Sequence, residues 1–425
     1  MVLNDYQRGL LADERKLSSL FEWAQMLRHM KKDPIDLSIG NPNLGPPRNY
    51  YQALEELITE SKAARSNLHG YVPNRGLRGT REKIATYLTS FLRTDFKCEQ
   101  IFMTAGAANA LDVMLRVLVE PVLHFREGAP SGAGFESCKD VRPCEVVILA
   151  PYFLEYRNYI EKNQGRVRVA FSDQSFRLDF DEIEKNITDA TRVVILNSPN
   201  NPTGVLYRED ELEELARILE TKNREFNSTI CVIEDGSYAQ VLFENSKLSS
   251  IMPFYRYTFF VSSFSKSLGI AGERLGYIAA HPRVLDSEDD WSLLQQAISV
   301  NIRMTVVDAP VLQQRVVQKI GCETTVDISV YQRKVLRLAD TLKDLGFEFT
   351  YPEGAFYIFA LIPEQFTDGE EFQRAVQSGD EPILYIPGYA FGGERYNDYV
   401  RFSVCVDDRT IDRACEQLAR VCRHT

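Results

Sequence analysis

The sequence has no run of roughly 18 uninterrupted apolar residues, the length a membrane-spanning helix needs. Its eight cysteines include no CxxC pair. Cys144, Cys231 and Cys405 sit in apolar, strand-like runs, so the thiols read as buried side chains in a reducing, cytoplasmic compartment. The five histidines, His29, His69, His124, His281 and His424, show no metal-ligand spacing. A GxSxG elbow is also absent, so neither metal chemistry nor a Ser–His–Asp hydrolase of that type is supported. There is no long Lys/Arg run, and 49 basic against 60 acidic residues give a net charge of −11. A nucleic-acid partner would need a local basic stripe on that background. The cluster Arg75, Arg78 and Arg81 falls among helix signals and reads as a solvated face or local ion pairs. Charged residues from Asp5 to Lys16 precede any long apolar block, unlike a secretory leader.

What is present is a globular chain of 425 residues, 44% hydrophobic and 26% charged, sized for two to three domain units. Residues 5–30 have the apolar spacing of an amphipathic helix, and helices are expected near 49–63 and 76–94. Between them lies a short extended run, Ile35 to Pro42, broken by Gly40 and Pro42. From 100 to 280 short apolar runs alternate with helix-length charged stretches. The runs are Glu145–Ala150, Val167–Ala170, Val193–Leu196, Ile230–Ile233, Phe259–Val261 and Leu275–Ala280. Continuous apolar strands alternating with helices predict βαβ units and a mostly parallel sheet covered on both faces. Ligands of such sheets gather at the carboxyl ends of the strands. The segment Glu127–Pro143 is rich in Gly, Ser, Pro and charge and reads as a surface loop. A long helix is expected from Ala309 to about Leu345. A smaller α+β region follows, with strand-like runs at Phe347–Thr350, Phe356–Ala360, Ile383–Ile386 and Val400–Val404.

Four segments carry candidate chemistry. In Ser263-Phe264-Ser265-Lys266, after a strand, hydroxyls precede a lysine, and Arg274 lies eight residues beyond it. A lysine amine in a site that lowers its pKa can condense with an aldehyde, and an arginine with hydroxyls suits a phosphate. Asn197 to Gly204 reads first as a turn, but a rigid turn at a strand end also aims an amide at a ligand. In Glu234-Asp235-Gly236-Ser237-Tyr238 the acid suits a helix cap or a partner for a pyridine nitrogen. Thr104 to Leu111 opens a helix with small residues, whose free N–H groups can meet a phosphate or simply pack on the sheet.

Together, from Gly40 to Arg401, these segments resemble the fold-type I pyridoxal-phosphate aminotransferases, the class I/II, aspartate-aminotransferase-like family. The lysine segment with its arginine, the Asn-Pro-Thr-Gly turn and the Asp-x-x-Tyr occur in the family's order, each after an expected strand. The resemblance implies a seven-stranded sheet in a large cofactor domain spanning 49–310. A smaller domain would form from 311–425 packed with the N-terminal segment 1–48. Lys266 would hold the cofactor as an internal aldimine and move the proton. Asp235 would face the pyridine nitrogen, with Asn201 and Tyr238 on the ring hydroxyl. Ser263, Arg274 and the backbone of Gly106, Ala107 and Ala108 would cup the phosphate, and Phe153 would stack on the ring. Tyr71 would reach the phosphate of a second subunit, implying a homodimer with a shared site. Arg401 would clamp the substrate α-carboxylate, and Gly40 belongs to the segment that covers the substrate. Plainer readings exist for some: core for Phe153, a loop aromatic for Tyr71, an ion pair with Asp398 or Asp407 for Arg401. Pro352 to Tyr357 and Pro387 to Gly392 are also familiar segments of the family's smaller domain.

The implied activity moves an amino group between an L-amino acid and a 2-oxo acid, without nucleic acid, membrane or metal. Alternatives on the same scaffold are a lyase, a cyclase or an oxidase/deaminase. A ligand-sensing module of a regulator is a further rival, disfavoured by the acidic chain and by only about 35 residues ahead of the Gly40 segment. Arg303 is a candidate for a distal substrate carboxylate, or a surface or interface arginine. Two departures from the family pattern bear on the pocket wall: the long 127–143 segment, and Gly236-Ser237 between the aspartate and the tyrosine.

Overall fold

The computed structural model describes residues 34–424 except 66, 120–121, 126–137 and 379–380, together with Met26. Apart from Met26, the helix expected over 5–30 lies outside the described residues. The first strand, β1 (Ile35–Asp36), is short and pairs in parallel with β12 (Ile383–Leu384), so the N-terminal segment is built into the C-terminal region.

The central sheet has seven strands. They are β2 (Ile101–Thr104), β5 (Glu145–Ala150), β6 (Arg166–Phe171), β7 (Thr191–Asn197), β8 (Cys231–Asp235), β9 (Thr258–Ser263) and β10 (Gly276–Ala280). Their order is β2-β10-β9-β8-β7-β5-β6, with β10 antiparallel to both of its neighbours and the remaining pairs parallel. Alternating residues of each strand bury on opposite faces. Val193 and Ile195 of β7 pack with Val113 of the helix Ala107–Leu118. Val194 and Leu196 pack on the other face with Leu212, Leu215 and Leu219 of the helix Glu209–Phe226. Covering both faces is what makes these strands read as unbroken apolar runs.

A second, three-stranded sheet of order β11-β14-β13 combines β11 (Tyr357–Leu361), β13 (Ile386–Pro387) and β14 (Tyr399–Ser403). Its core joins Ile35 and Leu37 to Tyr331, Leu338, Phe372, Phe402 and Leu418. Truncating one of these aromatics, such as Phe402→Ala, should cost about 3–5 kcal/mol of stability. The molecule is therefore a large α/β region with a mostly parallel seven-stranded sheet and a smaller α+β region drawn from both ends of the chain.

Four expectations change. The long helix from Ala309 is two helices, Val311–Ile320 and Ile328–Asp344, parted at Gly321, whose φ of +82° a residue with a side chain rarely adopts. Phe347–Thr350 is not a strand; Glu348 makes one isolated bridge to Leu361. Ile383–Ile386 serves two sheets, β12 pairing with β1 and β13 with β14. Part of the 127–143 segment is no loop: β4 (Cys138–Arg142) pairs with β3 (Val122–Phe125) as an antiparallel ribbon.

Candidate active site

The carboxyl ends of β2, β5, β7, β8 and β9 open onto one cavity of about 410 Å³. Each strand delivers a different group there. β8 ends in Asp235, which is 4% exposed. Burial pushes its carboxyl above the usual carboxylate range, opposed by three donors. The Ser237 hydroxyl donates to Oδ1 at 2.6 Å, the Ser237 N–H to the same oxygen at 3.0 Å, and the Tyr156 hydroxyl to Oδ2 at 2.7 Å. Asn197 closes β7, donates from Nδ2 to the Asp235 carbonyl (2.9 Å) and accepts the Asn201 N–H at Oδ1 (2.7 Å). The turn after β7 is thus fixed to the neighbouring strand, and Asn201 faces the cavity.

β9 runs directly into the short helix Phe264–Ser267, which carries Lys266. The Lys266 amine donates to the Gly40 carbonyl at 2.7 Å. Burial lowers it from 10.5 to about 8, with Arg401 and Arg274 pushing the same way. Arg274 precedes β10 in a left-handed conformation and donates to the Ala271 carbonyl at 2.7 Å and to the Ser265 hydroxyl at 3.4 Å. Across from it Gly106 (φ +84°) opens the helix Ala107–Leu118 with no side-chain cap, so the first N–H groups there have no partner within the helix. A Cβ on Gly106 would stand 2.4 Å from the Arg274 Nη2, so the close approach of helix end and guanidinium requires glycine.

The facing wall comes from the smaller region. Arg401 on β14 is 5% exposed. It donates to the Ser38 carbonyl (2.6 Å) and to Asn201 Oδ1 (3.1 Å), while its buried Nε has no partner among the described residues. Its guanidinium carbon lies 4.3 Å from the Tyr357 ring centroid and 5.0 Å from that of Phe391. Burial lowers its pKa. Neither Asp398 nor Asp407 pairs with it. Among the described residues no carboxylate stands within ion-pair distance of Lys266, Arg274 or Arg401. Three cations with neutral partners, in a chain of net charge −11, make a cavity suited to anions.

The structure brings Gly40, Ala107, Ala108, Phe153, Asn201, Asp235, Tyr238, Ser263, Lys266, Arg274 and Arg401 to this one cavity. Gly106 stands behind it at the helix start. Tyr71 is not brought there: it is 87% exposed and borders a separate depression with His69, Glu273 and Asp308. Arg303 does not line the cavity either. Sequence reasoning missed Tyr156, Ser237, Asn197 and Tyr357, which hold the predicted residues in place. Only Ser237 left a local signal, two residues beyond the acid it caps. Among the described residues no group of three or more His, Cys, Asp or Glu side chains is placed to hold a metal ion, and no helix is long and apolar enough to cross a membrane. Of Cys98, Cys144, Cys231, Cys322, Cys405, Cys415 and Cys422, all but the partly exposed Cys231 are buried, and all seven are free thiols.

The donor set fits pyridoxal phosphate: an amine of lowered pKa, a buried carboxylate at the end of the adjacent strand, and an arginine beside an uncapped helix start. Comparison with known proteins agrees. The family model for aminotransferase class I and II matches residues 32–418. A probable aspartate aminotransferase of Methanocaldococcus jannaschii is 28% identical over 385 residues, 90% of this chain and 92% of that protein. An aromatic-amino-acid aminotransferase of Thermococcus litoralis is 25% identical over 430 residues, 99% and 98% of the two chains. The crystal structure of an aminotransferase from Eubacterium rectale superposes with a TM-score of 0.85 at 29% identity, covering 100% of this chain and 99% of that one. The chain belongs to the class I and II aminotransferases, the fold-type I family whose enzymes work with pyridoxal phosphate.

Proposed function

We propose that this chain transfers an amino group between an L-amino acid and a 2-oxo acid, with pyridoxal phosphate held at Lys266. The observation that carries the reading is the convergence of the Lys266 amine, the Asp235 carboxylate and the Arg401 guanidinium on one cavity. When bound, the cofactor supplies an aldehyde and a conjugated ring that takes up electrons from a bond at the substrate Cα.

The chain's own groups do the rest. Lys266, lowered to about 8, keeps roughly a tenth of its amine unprotonated at pH 7, far more than an ordinary lysine, and so can act as a nucleophile toward the aldehyde. Once the substrate's amine displaces it, the same Nζ takes the proton from Cα and returns it to the cofactor side. Asp235, held by Ser237 and Tyr156, keeps a proton on the ring nitrogen by facing it with negative charge. Arg274, Ser263 and the N–H groups of Ala107 and Ala108 bind the phosphate, with Gly106 giving them room. Asn201 and Tyr238 serve the ring oxygen, and Phe153 covers a ring face. Arg401 orients the substrate through a bidentate carboxylate contact, and the Ser38–Gly40 segment closes over it to exclude water. The exposed Tyr71 and the exposed Leu293 and Met304 on the helix Glu288–Val306 support a homodimer in which Tyr71 completes the neighbouring site.

Borohydride reduction of the loaded protein followed by peptide mapping tests the attachment; a label at residue 266 is expected, and an unlabelled residue 266 in saturated, folded protein refutes it. A panel of amino donors without acceptor, read by cofactor absorbance, tests the reaction. Amino transfer matched one-for-one to an added 2-oxo acid supports transamination. Ammonia release without an acceptor supports a lyase, cyclase or oxidase/deaminase on the same residues.

A further inference from the structure

Tyr357 was not a candidate in the sequence, yet three parts of the site meet on its side chain. It opens β11 opposite Ser403 of β14, while Phe359 stands opposite Arg401. Tyr357 and Arg401 are therefore diagonal neighbours on one sheet face, a spacing that long side chains bridge. Its ring lies 4.3 Å beneath the Arg401 guanidinium carbon. Its hydroxyl lies 2.8 Å from the Tyr238 hydroxyl. A Cβ on Gly40 would come within 1.8 Å of that same hydroxyl, so the covering segment is seated directly against it. Tyr357 is 2% exposed, and the open side of its contacts is the cavity.

Two paired hydroxyls share one hydrogen between them and leave the other free. Burial raises both phenols, Tyr357 to about 12, so each keeps its proton near neutral pH. When Tyr357 donates to Tyr238, the hydrogen of Tyr238 is released toward the cavity. The flat ring independently holds the Arg401 guanidinium plane, a contact of a kind worth several-fold in affinity when desolvated.

We propose that Tyr357 is a positioning residue with two separable actions: its ring seats Arg401 for a substrate carboxylate, and its hydroxyl turns the Tyr238 hydroxyl toward the cofactor. The proposal rests on the functional reading above in taking Arg401 to face substrate and Tyr238 to face cofactor.

The test uses the holoenzyme and two spectroscopic readouts. One is the pH midpoint of the bound cofactor's absorbance change. The other is the dissociation constant of acetate, the smallest carboxylate, from its displacement of that midpoint. A hydrogen bond donated to an anionic ring oxygen favours the deprotonated chromophore, so weakening it raises the midpoint. Tyr357→Phe should raise the midpoint by about 0.5 pH unit or more and leave acetate affinity within about twofold. Tyr357→Leu should in addition weaken acetate about fivefold or more. The double variant Tyr238→Phe/Tyr357→Phe should have the midpoint of Tyr238→Phe alone, because the Tyr357 hydroxyl acts through Tyr238.

A parental midpoint in Tyr357→Phe, or fully additive shifts in the double variant, overturns the hydroxyl action. Parental acetate affinity in a folded Tyr357→Leu protein overturns the ring action. If acetate leaves the parent's midpoint unmoved, the Arg401 reading fails and takes the ring action with it. The double-variant comparison still decides the hydroxyl action in that case.

Discussion

The two walls of the cavity are built in different ways. On the wall formed by the large sheet, the functional groups sit at or just beyond strand ends, and Asp235 is locked on several sides: its backbone by Asn197 of the adjacent strand, its carboxylate by Ser237 just beyond its own strand and by Tyr156 of the helix Tyr156–Lys162. On the facing wall, Arg401 is held by a carbonyl of the Ser38–Gly40 segment, one amide and two aromatic faces, with Nε unpartnered. The first arrangement leaves almost nothing to rearrange, which suits groups that must keep one geometry while bonds change. The second leaves a buried cation undersatisfied by neutral partners, which suits a group that must release them and take an anion on each turnover. Under the proposed function, chemistry and recognition divide between a rigid sheet and an exchangeable contact.

The sharpest way to break this division is at Lys266. Lys266→Ala should lower the transfer rate by at least about 10³-fold, since both nucleophile and proton carrier are lost. Single-turnover kinetics with a saturating donor check it, and a variant retaining a tenth of the rate would refute the division outright. The lowered pKa also sets a pH signature. Only the neutral amine attacks an aldehyde, so capture of pyridoxal phosphate by the cofactor-free protein should speed up as pH rises, reach half its maximum near 8 and level off above about 9. A rate still climbing at pH 10 would mean that burial does not depress this amine.

Arg401→Ala tests the other wall. It should lower kcat/KM about 10²–10³-fold while the protein still retains its cofactor. Loss of cofactor together with substrate would mean that the walls are one unit. Gly40→Ala is milder and probes the contact between them. The added methyl meets the Tyr357 hydroxyl at 1.8 Å, so the segment must lift. A fall of about 10- to 100-fold in kcat/KM is expected, with cofactor affinity changed far less. Equal losses in both would place the segment's role in holding the cofactor.

The unequal legibility of the two walls has a physical cause. Five strands of the large sheet show in the sequence because strands buried on both faces write continuous apolar runs, and the edge strand β6 shows by its alternating Val167 and Val169. The seventh, Ile101–Thr104, escapes because four residues between a helical turn and a glycine are too short to make a pattern. Groups at strand ends, such as Asp235 and Lys266, inherit that legibility. Tyr156 and Tyr357 do not, for their partners lie 79 and 119 residues away in the chain and nothing local marks them. The break at Gly321 is hidden for a related reason: apolar periodicity resumes at Tyr331 and Val335, so the two helices imitate one. In the smaller region strands of two residues, such as β12 and β13, are specified by what they pair with and leave almost no signature of their own.

The smallest expected effect separates the two faces of the sheet itself. Glu234 and Asp235 are consecutive on β8, so their side chains point to opposite faces. Glu234 is 3% exposed, accepts the Ser250 hydroxyl at 2.6 Å, and is pushed by burial from 4.5 up to about 7. A carboxyl whose pKa is raised on folding binds its proton more tightly in the folded state. The stability it contributes is therefore full below about 4.5 and is lost as pH rises through about 7. Glu234→Gln imitates the protonated form and removes that loss. From pH 5.5 to 7.5 the parent should lose stability relative to Glu234→Gln by about 1–3 kcal/mol, read from denaturant midpoints at each pH. Transfer kinetics should be unchanged within about twofold, because the side chain faces away from the cavity. A large kinetic effect would show that the face opposite the site also shapes the charge on Asp235.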